Sequence, residues 1–171
     1  MMLEIRQQNP DDEDSVESLM QEAFGDVRHT RSVWALRPGP PVQRLCLMGV
    51  DDGVAVGSLR FWEIMLGEAR ILLLGPLAVR PEMRGKGYGQ RMVKQGLALA
   101  QDGEWPLVLV SGEPHYYPKF GFVPAAGYQL DWPGFVEPDR LQLYEVTSGA
   151  LAALAARPDK PICVRAIAPI P

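Results

Sequence analysis

The sequence predicts a single α/β domain built around a mixed β-sheet and covering residues 1–171. Strand-like apolar runs alternate with helical patterns along the chain, without repeats, low-complexity tracts or a linker. A length of 171 residues is typical of one domain and is enough to bury a core. Hydrophobic residues make up 47% of the chain and charged residues 22%, as in soluble globular proteins.

The composition also indicates the cellular location of the protein and argues against several classes of partner. The longest apolar segments are too short to cross a bilayer and the first residues lack a signal-peptide pattern, so we expect a cytoplasmic protein with no membrane partner. The net charge of −4 argues against nucleic acid as a partner. Cys46 and Cys163 lie in apolar runs and are expected to be buried thiols. His29 and His115 are far apart in the chain, so we expect no metal site.

The first part of the chain is predicted to form a strand, a capped helix and a second, shorter helix. Residues 3–7 alternate as in a strand. Asn9 is expected to cap the first helix, with Pro10 at its first position and Gly25 after its end. Residues 30–37 are predicted to hold the short second helix.

The middle of the chain is predicted to form a hairpin and then a buried strand. An Asp-Gly turn at residues 52–53 separates two β-rich runs, as in a hairpin. A second turn near residues 67–69 leads to a run over 70–79 whose consecutive apolar residues indicate burial on both faces. Gly75-Pro76 interrupts this run, and proline is costly in a central strand because it lacks the N–H donor. We therefore expect a bulge there, or a departure of this strand from its neighbour.

The rest of the chain alternates helices and strands. A helix is predicted to begin near Gly89, and a buried strand to follow over residues 106–112. A long loop covers residues 127–139. A strand–helix–strand unit is then predicted over residues 140–167, with Ser148 opening its helix.

A glycine-rich turn with basic residues, "LAVRPEMRGKGYGQRMV" at residues 77–93, is the strongest functional signal in the sequence. The free N–H groups and the dipole at a helix start bind anions, and glycines let a phosphate approach the backbone closely. Arg84 and Lys86 add positive charge. We therefore predict an anion site at the start of this helix.

The spacing of the glycines discriminates between three phosphate-binding patterns. Gly85-Lys86-Gly87 lacks the Ser or Thr that a P-loop requires after its lysine. Gln90 stands where a dinucleotide fingerprint requires a third glycine or alanine. A third pattern, Arg/Gln-x-x-Gly-x-Gly/Ala, fits Arg84, Gly87 and Gly89.

This third pattern, with its "LAVRP" lead-in and the later "YYPKFGF", resembles the GNAT (GCN5-related) N-acetyltransferases. The tail "LYEVTSGALA", residues 143–152, resembles in particular a bacterial subgroup of undefined substrate. The resemblance covers the whole chain in element order and residues 72–125 in motif detail. It implies the GNAT acyl-CoA N-acyltransferase fold of the α/β (α+β) class, with a mixed, mostly antiparallel sheet, splayed central strands and flanking helices. The acetyl-CoA motif core would occupy about residues 70–125.

The resemblance also implies a co-substrate and its contacts. Acetyl-CoA would be the co-substrate, without a metal. The backbone of one turn would cradle the CoA pyrophosphate, and the edge of the preceding strand would pair with the pantetheine amides. The residues of the turn are Arg84, Gly85, Lys86, Gly87, Tyr88 and Gly89, and those of the edge are Leu77, Ala78 and Val79. A bulge at Gly75-Pro76 would splay this strand and make room for the thioester arm.

Acetyl transfer to an amine would need an acid and a proton acceptor. Tyr117, four residues before Gly121, matches the tyrosine of the family and is the expected general acid for the leaving thiolate. Glu63 and Glu113 are candidate bases, His115 is a further candidate, and a relay through ordered water is the alternative. No cysteine lies near the motif, so transfer would be direct, in a ternary complex.

The acceptor would be an amine, with a small molecule favoured over a protein. Its pocket is expected to come from residues 25–37 and the loop at 131–139, with Trp34, Trp132 and Phe135 as candidate walls. Dimers are common in the family, so a homodimer is one expectation. Two other functions stay open: a non-catalytic acyl-CoA-binding sensor, and a nucleotide-binding protein that places ATP at the same anion site.

Acidic residues are concentrated near the first helix. Residues 11–22 carry six acidic side chains and no basic one. The simple interpretation is a solvated helix face whose first-turn acids suit the helix dipole. The alternative is an acidic rim that attracts a cationic acceptor.

Overall fold

The computed structural model describes residues 2–167, in which nine strands form a mixed sheet. The strands are β1 Leu3–Gln7, β2 Leu47–Asp51, β3 Val54–Leu66, β4 Ala69–Val79, β5 Leu107–Ser111, β6 Val123–Pro124, β7 Leu130–Asp131, β8 Leu141–Glu145 and β9 Ile162–Ala166. The helices are α1 Glu13–Phe24, α2 Tyr88–Ala100 and α3 Ala150–Ala155. Within residues 2–167, no helix has the length and hydropathy of a membrane-spanning segment.

The strands follow the order β1-β2-β3-β4-β5-β8-β6, and β9 pairs with both β3 and β7. All pairs are antiparallel except β4 with β5 and β7 with β9. The predicted class, a mixed and mostly antiparallel sheet with flanking helices, is therefore confirmed. The one parallel contact in the main path, between β4 and β5, is where the sheet opens.

Local hydrogen bonds explain the predicted start of the first helix. The Asn9 side chain accepts a hydrogen bond from the Asp11 N–H, and the Asp12 carboxylate accepts one from the Asn9 N–H, which completes a capping box. Pro10 begins a short 3-10 turn that runs directly into α1. The short second helix predicted over residues 30–37 is replaced by two 3-10 turns, Asp26–Thr30 and Ser32–Leu36.

The predicted interruption of β4 is confirmed by its register. Leu59 of β3 faces Leu77 and Phe61 faces Leu74, so one residue of β3 opposes two of β4, Gly75 and Pro76. On its other side β4 pairs with β5 only at two positions, the last being Leu73 with Leu109. Beyond that point the two strands separate, and this separation confirms the predicted splay.

Helices cover the two faces of the sheet. α2 buries Met92, Val93 and Leu97 against β3, β4 and β5. α1 packs on the opposite face against β2, β3 and β4, and the two turns that follow α1 continue this layer. The open ends of β4 and β5 therefore lie between α2 on one side and the residue 26–36 turns on the other.

Two predictions outside the site are wrong. Cys163 is exposed, because its neighbours on β9, Ile162 and Val164, take the inward positions of the strand; Cys46 is buried as expected. The last helix begins at Ala150, and its first N–H groups are capped by the Glu145 carboxylate instead of Ser148.

Candidate active site

A cleft opens where β4 and β5 separate, and two adjoining cavities occupy it. The first, of about 360 Å³, lies against the turn before α2. The second, of about 580 Å³, lies between the strand ends and the residue 26–36 turns. Both are lined by Phe24, Leu77, Arg84 and Tyr116, so they form one continuous cleft.

The turn before α2 presents bare backbone to the first cavity. Gly85 and Gly87 have φ values of 84° and 79°, a conformation that other residues adopt only with strain. A Cβ at either position would meet no atom of the described residues within 4 Å. Gly87 is the N-cap of α2, and no side chain of residues 2–167 caps the helix, so the first N–H groups of α2 stay free for an anion.

The individual residues of this turn differ in what they offer. Arg84, Gly85, Gly87, Tyr88 and Gly89 line the first cavity. The Lys86 side chain is exposed and contacts the Met83 sulfur at 3.6 Å instead of lining the cavity. The Tyr88 hydroxyl donates a hydrogen bond to the buried Asp51 carboxylate at the end of β2, which fixes the start of α2 on the sheet.

The edge of β4 presents polar backbone groups to the cleft. The Arg80 N–H donates to Val56 of β3, and the Ala78 carbonyl oxygen lies 3.4 Å from the Cβ position of Gly57 on β3. Because backbone groups alternate in direction along a strand, those of Leu77 and Val79 point away from β3, toward the cleft. Leu77 and Val79 line the first cavity, whereas the predicted contact Ala78 is buried under α1.

Tyr117 stands at the inner end of the second cavity. It belongs to the 3-10 turn Tyr117–Phe120, and its ring lies so close to Gly112 that a Cβ there would be 2.2 Å from the ring. Burial raises the pKa of Tyr117, an effect that Arg140 and Arg37 only partly oppose, so its hydroxyl keeps its proton at neutral pH. Gly112, which the sequence analysis did not single out, is what lets the ring sit there.

Of the three candidate bases, only Glu113 lies in the cleft of the described structure. Glu113 is exposed and lines the second cavity, close in the chain to the tyrosines. Glu63 lies elsewhere: its carboxylate accepts a hydrogen bond from the Trp105 indole at 3.0 Å, and it faces Leu72 where β4 and β5 are still paired. His115 is exposed and lines neither cavity of the cleft.

Of the three aromatic residues predicted to wall the acceptor pocket, two line cavities and one is buried in the core. Trp34 lines the second cavity, and Phe135 lines a third cavity of about 610 Å³ that continues outward from it. Trp132 is buried, and its indole N–H donates to the Ser32 hydroxyl at 2.7 Å. Ser32 in turn donates to the Phe135 carbonyl oxygen at 2.5 Å, so one hydroxyl joins the two predicted pocket segments.

Basic side chains dominate the second cavity. The sequence did not predict that these side chains lie together. Five arginines line it: Arg28, Arg31, Arg37, Arg84 and Arg140. A usable signal was present, because residues 26–37 carry three arginines and a single acid. The sequence did not indicate Arg140, because it reaches the cavity from a distant segment, the 3-10 turn Pro138–Arg140 just before β8.

The acidic residues near α1 form ion pairs and do not form a free acidic rim. Arginines from other elements hold four of the six acids, in the pairs Asp12–Arg6, Glu13–Arg60, Glu17–Arg28 and Glu22–Arg80. Attraction of a cationic acceptor by this helix is therefore not supported. Within residues 2–167, no three His, Cys, Asp or Glu side chains are grouped as metal ligands.

Known proteins resemble this chain in sequence. Residues 4–125 match the acetyltransferase (GNAT) domain family. YhbS of Escherichia coli, named an uncharacterised N-acetyltransferase, is 28% identical over 134 residues, which cover 76% of this chain and 80% of YhbS. YjhQ of the same organism, also named an uncharacterised N-acetyltransferase, is 34% identical over 87 residues, 48% of each chain.

Solved structures resemble it in fold. The crystal structure of E. coli YhbS in complex with CoA has a TM-score of 0.76 at 25% identity and covers 96% of this chain and 89% of that one. A GNAT acetyltransferase of Brucella melitensis in complex with acetyl-CoA has a TM-score of 0.64 at 23% identity, with 98% of this chain and 97% of that one covered. The fold and family that the sequence predicts are thus confirmed, and the chain belongs to the GNAT family of N-acetyltransferases.

Proposed function

We propose that this chain binds acetyl-CoA along the cleft between β4 and β5 and transfers its acetyl group directly to an amine. One observation carries the proposal: the free N–H groups of α2, the open edge of β4 and Tyr117 line one continuous cleft. The relatives whose crystal structures contain CoA or acetyl-CoA support this choice of co-substrate.

The cofactor would lie with its phosphates at α2 and its thioester at the bulge. The backbone of residues 84–89 would bind the pyrophosphate, assisted by the helix dipole. The pantetheine amides would pair with the outward backbone groups of Leu77 and Val79, as an added strand does. Gly75-Pro76 keeps β4 away from β5 at the level where the thioester would sit.

The reaction then follows from the groups around the thioester. The neutral amine attacks the acetyl carbon, and an N–H of the β4 edge stabilises the developing oxyanion. The C–S bond breaks, and the Tyr117 hydroxyl donates its proton to the departing thiolate. The raised pKa of Tyr117 keeps this proton available. Within residues 2–167 no cysteine lines the cleft, which favours direct transfer over an acyl-enzyme.

The proton of the amine must leave by another route. Among the described residues, Glu113 is the one carboxylate that lines the second cavity, so it is the residue that could accept this proton, directly or through water. The second cavity is bounded by β4, β5 and the residue 26–36 turns. This enclosure favours a small-molecule amine over a protein.

The test is thiol release from acetyl-CoA with a panel of amines, for wild type and for Tyr117→Phe. We expect kcat to fall about 100-fold or more in the variant while the Kd for acetyl-CoA is unchanged, because only the proton donor is lost. Tyr128→Phe is the matched control, since Tyr128 is partly buried outside both cavities of the cleft.

Two results would change the assignment. Full activity in Tyr117→Phe with loss in Tyr116→Phe would move the acid to Tyr116, whose hydroxyl lies over Gly89. Binding of acetyl-CoA without thiol release from any amine would contradict catalysis and leave an acyl-CoA sensor.

A further inference from the structure

The second cavity is strongly cationic and nearly free of negative charge. Five arginine side chains line it, and the exposed Glu113 is the single carboxylate that residues 2–167 place around it. Two of these arginines have other tasks. Arg28 is paired with Glu17 and donates to Gln21, and Arg84 belongs to the proposed pyrophosphate turn.

The other three arginines, Arg31, Arg37 and Arg140, have no carboxylate partner among the described residues. They form none of the ion pairs found in residues 2–167. The Nε atoms of Arg37 and Arg140 are buried and have no hydrogen-bond acceptor within the part of the chain that the structure describes. Such donors are costly to leave unpaired, so a bound acceptor would stabilise the cavity.

The three guanidinium groups also repel one another. Partial desolvation of the otherwise exposed Arg31, and then the charge of Arg140, lower the pKa of Arg31. Burial, and then the charge of Arg31, lower the pKa of Arg37. Guanidinium groups nevertheless stay protonated in proteins, so the cavity keeps its positive charge and selects against a second cation.

The position of the cluster relates it to the reacting centre. The Arg37 guanidinium nitrogen lies 2.9 Å from the Cβ position of Gly75 at the bulge, and the group stacks over Trp34 at 5.0 Å. Arg31 and Arg140 line the third cavity as well as the second. The cluster thus extends from the proposed thioester position toward the outer opening of the cleft.

We infer that the amine acceptor carries an anionic group, a carboxylate or a phosphate, which binds to Arg31, Arg37 and Arg140. This inference rests on the proposed acetyl transfer. Guanidinium groups bind both anions through paired N–H donors. The acceptor amine would then lie near Tyr117, with its anionic end toward the outer opening of the cleft.

The same charge would help the chemistry. Nearby cations disfavour a protonated amine, so the arginines lower the pKa of the bound ammonium group and raise the fraction of neutral nucleophile. This effect reduces the need for a strong dedicated base, which agrees with the single exposed carboxylate of the cavity. Diamines and polyamines, which carry a second cation and no anion, should be poor acceptors.

Thiol release with matched amines tests the inference. One set compares γ-aminobutyrate with butylamine and putrescine, and a second compares phosphoethanolamine with ethanolamine. We expect the anionic member to have a kcat/KM at least about 10-fold above its neutral analogue, with putrescine lowest. The two sets distinguish a carboxylate from a phosphate as the preferred group.

Arginine variants test whether the preference for anionic acceptors comes from this cluster. Arg31→Gln and Arg140→Gln should each lower kcat/KM for the anionic acceptor about 10- to 100-fold, mainly through KM, and leave the KM for acetyl-CoA unchanged. Arg31→Lys should restore part of the loss because it keeps the charge. Arg31 is exposed, so its replacement should not threaten folding. Arg165→Gln, exposed on β9, is the matched control.

Each outcome decides one of the two claims. Faster turnover of neutral or cationic amines would overturn the inference while acetyl transfer stands. If no amine reacts, calorimetry with the N-acetylated products and CoA-saturated protein decides. Binding of the anionic products that is lost in Arg31→Gln would support the anion site and contradict acetyl transfer, and absence of such binding would overturn the anion site.

Discussion

Gly87→Asp places a negative charge where the CoA pyrophosphate is proposed to bind. Gly87 has a φ of 79° and lines the first cavity, and a Cβ there meets no atom within 4 Å. The left-handed backbone costs an ordinary residue about 1–2 kcal/mol of folding stability. A carboxylate about 5 Å from one phosphate charge adds about 1–3 kcal/mol of repulsion at a partly solvated site. The Kd for acetyl-CoA should therefore rise about 5- to 150-fold.

Gly53→Asp separates the charge effect from the strain effect. Gly53 has a φ of 78° in the β2–β3 turn, and a Cβ there also meets no atom within 4 Å. Both variants should lose similar stability in urea unfolding, whereas only Gly87→Asp should lose binding in calorimetry. Its defect should shrink at high salt, because ions screen the repulsion. Equal affinity in the two variants, within about threefold, would refute the placement of the pyrophosphate.

Two further predictions concern the parts that hold the site. Hydrogen bonds from Arg6 lower the pKa of Asp12 to about 2, so this stabilisation is present above the unfolded pKa and is lost as the pH falls toward about 2. Asp12→Asn should cost about 1–2 kcal/mol in urea unfolding near neutral pH, and this deficit should shrink to about 0.5 kcal/mol or less near pH ~2, where about half of the native Asp12 is protonated. The control is Asp14→Asn, which breaks no ion pair among the described residues and should cost at most about 0.5 kcal/mol near neutral pH through the helix dipole. An Asp12→Asn deficit independent of pH would contradict the ion pair. Gly96→Ala places a Cβ 2.7 Å from the Phe61 ring. The free energy of unfolding should fall by about 1–2 kcal/mol, although alanine has the better helix propensity. A raised Tm would contradict this packing of α2 on the sheet.

The opening of the sheet was predictable because its cause is local. Gly75-Pro76 conflicts with a continuous strand, and the glycines at 85, 87 and 89 mark a backbone that must leave room. Both features are properties of a few adjacent residues, so the sequence carries them directly.

Features that depend on distant segments could not be predicted. Glu63 has the residue type of a base, but its distance along β3 from the bulge places it beside Trp105, below the cleft. Which backbone groups of β4 point to the cleft, and that Ala78 is buried under α1, follow from the register of β4 with β3. The arginine cluster combines residues of the turns after α1 with Arg140 of the turn before β8, and no local sequence pattern connects these segments.

The hydroxyl of Ser32 has a consequence for any attempt to change the acceptor. It receives the Trp132 indole N–H and binds the Phe135 carbonyl oxygen, so it couples two pocket segments that are 100 residues apart in the chain. Replacing one segment alone would leave a buried indole without an acceptor. To change the acceptor specificity of this chain to that of a relative, both segments should therefore have to be replaced together. A sequence alignment would show them as two separate regions.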